Sequence, residues 1–254
     1  MQSIKMYSLK DYLSEALVKH KISHYRNDDN VVDFGLSVKW LKYNLAGDKL
    51  TNDESDYGYY YQCASTTGYP DASKYEFTWE TTPYCNGSSN SFTKYVTSSI
   101  YGTVDNKITL DPEDDAVTTL LGSKYRMPTV DEFKELYHHC GGTDSGSLSG
   151  TVSISSKGTY WVAAGTIIDG VKYKNPGRLF VGQDITNRIF FPASGYCYDS
   201  SVKAVGSYGL YWSSSLYLSY SNYAYNLDFY SSDIYPGDYY DRYYGFSIRG
   251  VKIK

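Results

Sequence analysis

Tyr125-Arg-Met-Pro-Thr-Val-Asp-Glu-Phe-Lys-Glu-Leu-Tyr-His-His-Cys-Gly-Gly142 carries the clearest local signature in the chain. Thr129 and Glu132 have the spacing of a capping box, in which a hydroxyl and a carboxylate each satisfy a backbone N–H at a helix start. Phe133, Leu136 and Tyr137 then share one face, and Gly141 supplies a stop. Upstream, Asp111-Pro-Glu-Asp-Asp-Ala-Val-Thr-Thr-Leu-Leu-Gly122 predicts a shorter helix. It has proline in its first turn, carboxylates at its positive end and Gly122 as its terminator.

Strands flank this pair. Val31-Val-Asp-Phe-Gly-Leu-Ser-Val-Lys-Trp-Leu41 alternates as strands do, and Asn44 to Lys107 is turn-rich. Beyond the helices come short strands broken by Gly and Asn, among them Ile189-Phe-Phe-Pro, Leu210-Tyr-Trp-Ser-Ser-Ser and Tyr223-Ala-Tyr-Asn-Leu-Asp-Phe. In Tyr244-Gly-Phe-Ser-Ile-Arg-Gly-Val-Lys-Ile-Lys254 the alternation slips phase at Gly250, as at a β-bulge. Few helices and many short strands predict an α+β fold.

Residues 1–30 form a separate block. Leu9, Tyr12, Leu13, Ala16 and Leu17 follow i, i+3, i+4, i+7, i+8 behind Ser8, which predicts a capped amphipathic helix; His20–Asn30 reads as a linker. This block is expected to serve attachment or oligomerisation, and 31–254 to be the main domain. No secretory signal is recognised near Met1, and apolar runs such as Tyr160–Gly165 are too short for a membrane-spanning helix. With 24 Lys+Arg against 28 Asp+Glu the net charge is −4, without the basic excess of a nucleic-acid-coating protein. Cys63, Cys85, Cys140 and Cys197 are scattered and read as free thiols.

Tyrosine sets this chain apart, with 31 in 254 residues and 12 of them between Ser207 and Tyr244. Together with this bias, the phrases VDFGLSVKW (32–40), FPASGY (191–196), GSYGLYWSSS (206–215) and YYGFSIRGV (243–251) resemble those of a known family. It comprises gut-Bacteroidetes proteins, including those of Bacteroides, with a C-type-lectin-like fold. They are distantly related to the formylglycine-generating (sulfatase-modifying) enzymes, whose RLPT-x-x-E-W segment RMPT-x-x-E-F is similar to. The resemblance covers about Val31 to the C-terminus. It implies a twisted antiparallel sheet, two helices and a large loop-rich region.

Within this fold family are the variable proteins of diversity-generating retroelements, whose C-terminal codons are rewritten at adenines. The resemblance implies that such rewriting of AAY codons yields Asn, Tyr, Asp, Ser, Ile, Leu, Gly or Pro, but never Lys, Glu, Gln, Met or Trp. Ala204–Val251 contains no Lys, Glu, Gln or Met, where the overall frequency of these four predicts about six. Its only Trp, Trp212, lies in a framework phrase. The variable segment is expected at about 206–249.

Diversification requires positions where substitution costs little, about 0.5 kcal/mol or less, beside core positions where it costs several. Tyr225, Leu227 and Phe229 lie at strand period and are expected to pack inward, with Trp212, Phe246 and Ile248 as framework. The residues expected to vary and face outward, forming the ligand-binding set, are Tyr217, Leu218, Tyr220, Ser221, Tyr223, Asp228, Tyr230, Asp233, Tyr235, Asp238, Tyr239 and Tyr240, with Leu210. Tyrosine suits such a face because it offers a large amphipathic surface and freezes only two torsions. Five or six half-buried rings approach the ~800 Å² per partner of a standard interface.

The function implied is recognition of a protein or other macromolecule on a cell surface. The N-terminal helix would contact a virion or oligomer partner, and the protein would be located on a phage tail or in the cytoplasm before release. A fixed adhesin is the alternative. A formylglycine-generating type of enzyme would need a reactive cysteine pair near the C-terminus, where Cys197 stands alone beyond Cys140. No catalysis, cofactor, metal, nucleic acid or membrane insertion is expected. Adjacent His138 and His139 diverge by about 100° on a helix, and Asp111-Pro-Glu-Asp-Asp lacks the 12-residue calcium-loop pattern.

Overall fold

The computed structural model describes residues 30–254, so the expected N-terminal helix and most of its linker lie outside the described residues. In chain order come β1 (Val31–Val32), β2 (Val38–Asn44), a 3₁₀ turn (Pro112–Asp114), α1 (Ala116–Leu121), β3 (Tyr125–Arg126), α2 (Val130–His139), β4 (Asp144–Leu148) and β5 (Thr151–Val152). Then follow β6 (Gly158–Val162), β7 (Ile167–Ile168), β8 (Val171–Lys172), β9 (Gly177–Val181), β10 (Arg188–Pro192), β11 (Tyr196–Tyr198) and β12 (Ser201–Lys203). The last four are β13 (Gly209–Leu216), β14 (Tyr223–Phe229), β15 (Ile234–Asp241) and β16 (Arg249–Ile253). The architecture is mostly β-sheet with few helices.

Three sheets form the body, ordered β1-β2-β16-β3, β10-β9-β6-β4 and β13-β14-β15, beside the small sheets β5-β7-β8 and β11-β12. Pairing is antiparallel except for β4 with β6 and β5 with β7. The first and last long strands are neighbours, with Trp40 opposite Val251, and their register shifts between Arg249 and Val251, where the phase slip at Gly250 is read. A β-carbon on Gly250 would sit 2.6 Å from Leu41 and 2.7 Å from Val117, so this bulge needs glycine.

α2 has the full capping box: Thr129 Oγ1 accepts from the Glu132 amide at 3.3 Å, and the Thr129 amide donates to Glu132 Oε2 at 2.8 Å. Phe133 and Leu136 are buried against Trp40 and Phe191, and Gly141 and Gly142 end the helix at positive φ. The expected continuous helix over Asp111–Gly122 is instead a 3₁₀ turn and α1, divided at Asp115. That residue is extended (φ −91°, ψ 110°), and its buried carboxylate accepts from the Val117 and Thr118 amides at 2.9 Å and the Met127 amide at 2.8 Å. Asp115 is thus the true N-cap.

Two large apolar clusters lie on opposite faces of β13-β14-β15. Leu210, Trp212, Leu216, Ala224, Phe246 and Ile248 pack with Tyr61, Leu110 and Val117 in one. Tyr211, Leu227 and Phe229 pack with Trp40, Phe133 and Phe191 in the other. Trp212 is fully buried, its indole N–H donates to the Tyr61 carbonyl at 2.8 Å, and its ring stacks on Phe246 at 4.2 Å.

Candidate ligand-display surface

β13 is buried on both faces along nearly its whole length, so alternation there does not separate inside from outside. The expected outward set is corrected at three positions. Leu210 is buried in the apolar cluster of Trp212 and Phe246. Ser221 is buried, its hydroxyl accepting from the Thr97 amide at 3.0 Å. Asp228 is buried on the face of β14 opposite Leu227 and Phe229. Tyr225, expected inward with Leu227 and Phe229, is half-buried and belongs to a surface ring group.

The largest such group gathers Tyr217, Tyr220, Tyr223, Tyr225 and Tyr239 from the β13–β14 connection, β14 and β15. Tyr217 stacks on Tyr239 at 4.2 Å and on Tyr220 at 5.9 Å, and meets Tyr225 edge-on at 5.1 Å. Tyr223 meets Tyr239 edge-on at 5.5 Å. Tyr220 and Tyr239 are 48% and 42% exposed, Leu218 beside them is 55% exposed, and Tyr101 from the irregular region extends the patch against Tyr220.

A second group lies at the β14–β15 turn, where Tyr230 packs between Tyr208 (5.1 Å) and exposed Tyr235 (6.1 Å). Asp233 lies half-buried in the same turn. The third joins half-buried Tyr240 to Tyr244 (5.7 Å), which stacks on Tyr243 at 4.6 Å and continues to Tyr196 and Tyr198. Asp238 is half-buried and its carboxylate accepts from the Tyr239 amide at 2.9 Å. Tyr101, Tyr196, Tyr198, Tyr208, Tyr243 and Tyr244 were not in the expected set. The tyrosine excess itself flags them, but only tertiary contacts assign them to groups.

The strands beneath these rings are held through main-chain atoms. Arg178, fully buried, pairs with Asp144 and donates to the carbonyl of Tyr230, with that of Asp233 at 3.5 Å. Arg242, fully buried over the Phe92 ring at 4.1 Å, donates to the Ser221 carbonyl at 3.1 Å and to those of Lys94 and Tyr95 at 3.4 Å. Arg249 holds β2 and β10 rather than the tyrosine strands, binding the Leu41, Lys42 and Phe190 carbonyls at 3.1, 2.6 and 2.9 Å and Asn44 Oδ1 at 2.8 Å. Burial pulls its guanidinium down to about 10. Ser213 Oγ donates to the Tyr225 carbonyl at 2.8 Å. Such contacts are indifferent to which side chains the Tyr230, Asp233, Ser221 and Tyr225 positions carry.

Elsewhere, Asp111, Glu113 and Asp114 form the one group of three or more metal-ligating side chains found together among the described residues. Lys94 Nζ lies 2.7, 3.6 and 2.6 Å from their carboxylates. Burial opposes the charge of Lys94, but Asp111 and Asp114 outweigh it and hold its pKa above the ordinary lysine value. These carboxylates already have their cation. His139 packs edge-on against Phe34 while His138 is exposed, so the pair does not converge. Burial pushes the thiols of Cys63, Cys140 and Cys197 up to about 11, 12 and 12, which keeps them protonated and poorly nucleophilic.

The family model of a domain of unknown function, DUF8237, matches residues 180–251, a span from the end of β9 into β16 that includes the three strands of the tyrosine surface. No curated protein and no solved structure matches the chain.

Proposed function

We propose that this is a ligand-binding protein of C-type-lectin-like fold. Its β13–β15 surface is diversified by a retroelement and grips a protein or other macromolecule on a cell surface, as on a phage tail. The fold assignment is supported by mainly antiparallel sheets, the two helices among the described residues and the irregular stretch between β2 and the 3₁₀ turn.

One observation carries the functional reading. Exposed tyrosines cluster on a segment free of Lys, Glu, Gln and Met, while buried arginines bind that segment by its carbonyls. A surface built this way tolerates exchange of side chains because the scaffold does not depend on them. The rings also need little ordering when a partner arrives, since Tyr217, Tyr220 and Tyr239 already brace one another.

Sequencing the gene's 3′ end across a population tests this. Substitutions are expected at Tyr217, Tyr220, Tyr223, Tyr235 and Tyr239, confined to adenine-derived codon positions and absent at Trp212, Leu227 and Phe246. A near-copy of the DNA for Gly206–Arg249 is expected beside a reverse transcriptase gene. Uniformly synonymous change overturns diversification. It leaves the second reading, a fixed adhesin, which the mutual stacking of Tyr217 and Tyr239 favours because each ring's place depends on the other.

A further inference from the structure

Beside the third tyrosine group lies a cleft of about 280 Å³ that the diversified face does not account for. Its walls come from three segments: Phe77–Glu80 of the irregular region, Tyr198 and Asp199 at the β11–β12 turn, and Tyr243 after β15. Tyr243 is at the centre. Trp79 meets it edge-on at 4.6 Å (65° between planes), and Tyr198 meets it tilted at 5.8 Å (58°). Trp79 and Tyr198 are thus each inclined steeply to Tyr243, which is also stacked on Tyr244 at 4.6 Å, and the three rings line one concave wall of the cleft. Glu80 and Asp199 stand exposed on the same cleft, and among the described residues no Lys or Arg lines it.

The corner is rigid. Phe77 and Asp199 exchange backbone hydrogen bonds of 2.9 and 3.1 Å, and Cys197 and Gly245 exchange bonds of 2.8 and 2.9 Å. Buried Gln62 donates through Nε2 to the carbonyls of Thr78 and Tyr243, each at 3.1 Å, tying two walls together. A β-carbon on Gly245 would lie 2.3 Å from the Phe77 ring, so glycine is what lets the third wall close against the first.

We infer that this cleft binds the ammonium group of a lysine side chain on the macromolecular partner, with Trp79, Tyr198 and Tyr243 as an aromatic corner and Glu80 and Asp199 as counter-charges. Aromatic rings attract a cation, a compact ammonium fits a narrow ring-lined cleft better than a flat group does, and two carboxylates with no ion pair among the described residues supply the complementary charge. The Glu80 carboxylate is held below the usual range by its own backbone amide and by Thr78, so it stays ionised down to acidic pH. The assignment deepens the proposed recognition function and rests on it.

The test titrates the full chain with Nα-acetyl-lysine amide, following the Trp79 indole N–H resonance, which Trp79→Leu identifies by its loss. Glu80→Gln and Asp199→Asn keep the fold, because both side chains are exposed and Asn tolerates the positive φ of 55° at Asp199. Saturable binding is expected, weakened on the order of fivefold by Trp79→Leu, detected by ligand-observed resonances, and again by the paired carboxylate variants. It is also expected to weaken with added salt. The Nε-acetylated probe, which lacks the charge, is expected not to bind. Equal binding of the neutral probe, binding of methyl glucoside in place of the lysine probe, indifference to all three substitutions, or no shift at any probe concentration overturns the inference. Because no macromolecule enters the assay, a negative result removes the cleft alone. Failure of codon-confined variation would remove the diversified face without touching this titration.

Discussion

Asp228 is 4% exposed on β14, with one carboxylate oxygen unpartnered, beside Asn226, whose amide is unpartnered at both its nitrogen and its oxygen. Burial, and then the nearby Asp238, push its carboxyl up to about 7. A folded-state value above the unfolded one, about 3.9, means that folding favours the protonated form. The contribution is therefore fully present below about pH 4 and is lost as pH rises through about 7. Asp228→Asn keeps the shape and cannot ionise. It is expected to raise Tm at pH 8, by a stability of roughly 1–3 kcal/mol, with the gap closing toward pH 4. Thermal melts of both proteins across that range check this, and a gap that widens on acidification would contradict it.

At the scale of elements, the exposed rings and the buried arginines divide the work. Arg178→Met leaves Asp144 without its partner and the Tyr230 carbonyl without a donor, and is expected to cost about 3 kcal/mol in denaturant unfolding. Tyr220→Ser and Tyr235→Ser, at 48% and 45% exposure, are expected to cost about 0.5 kcal/mol or less. Comparable losses for all three would mean that the rings, too, hold the scaffold. The same division explains what the sequence reveals. The capping box of α2 and the slip at Gly250 are legible because both are set by neighbours in the chain. Leu210 is misread because β13 is covered on both faces, and Asp228 and Tyr225 because β14 has covered residues on both faces and a register shift between Asn226 and Asp228 resets the alternation. Ser221 is hidden by Thr97, 124 residues away, which no local pattern can anticipate.

For the molecule as a whole, the proposed function assigns attachment and recognition to different ends of the chain. Leu9, Leu13 and Leu17 lie outside the described residues, while the tyrosine surface is built from 196–244 and from Tyr101. Deleting 1–30 is therefore expected to abolish virion incorporation or change oligomer size, measured by light scattering, without altering probe binding at Trp79. An unchanged assembly state would remove that role from the N-terminal block.

β16 lies inside its sheet, hydrogen-bonded to β2 on one side and β3 on the other, yet it is translated after every residue of the tyrosine surface. A frameshift or premature stop anywhere in 206–249 deletes or scrambles it, leaving two strands without their common neighbour and Trp40 without Val251. Such a copy is expected not to assemble that sheet, whereas an in-frame exchange on the tyrosine surface leaves β16 in place. If the surface is diversified as proposed, the order of strands would proofread the message: only copies read through to Ile253 complete the β1-β2-β16-β3 sheet.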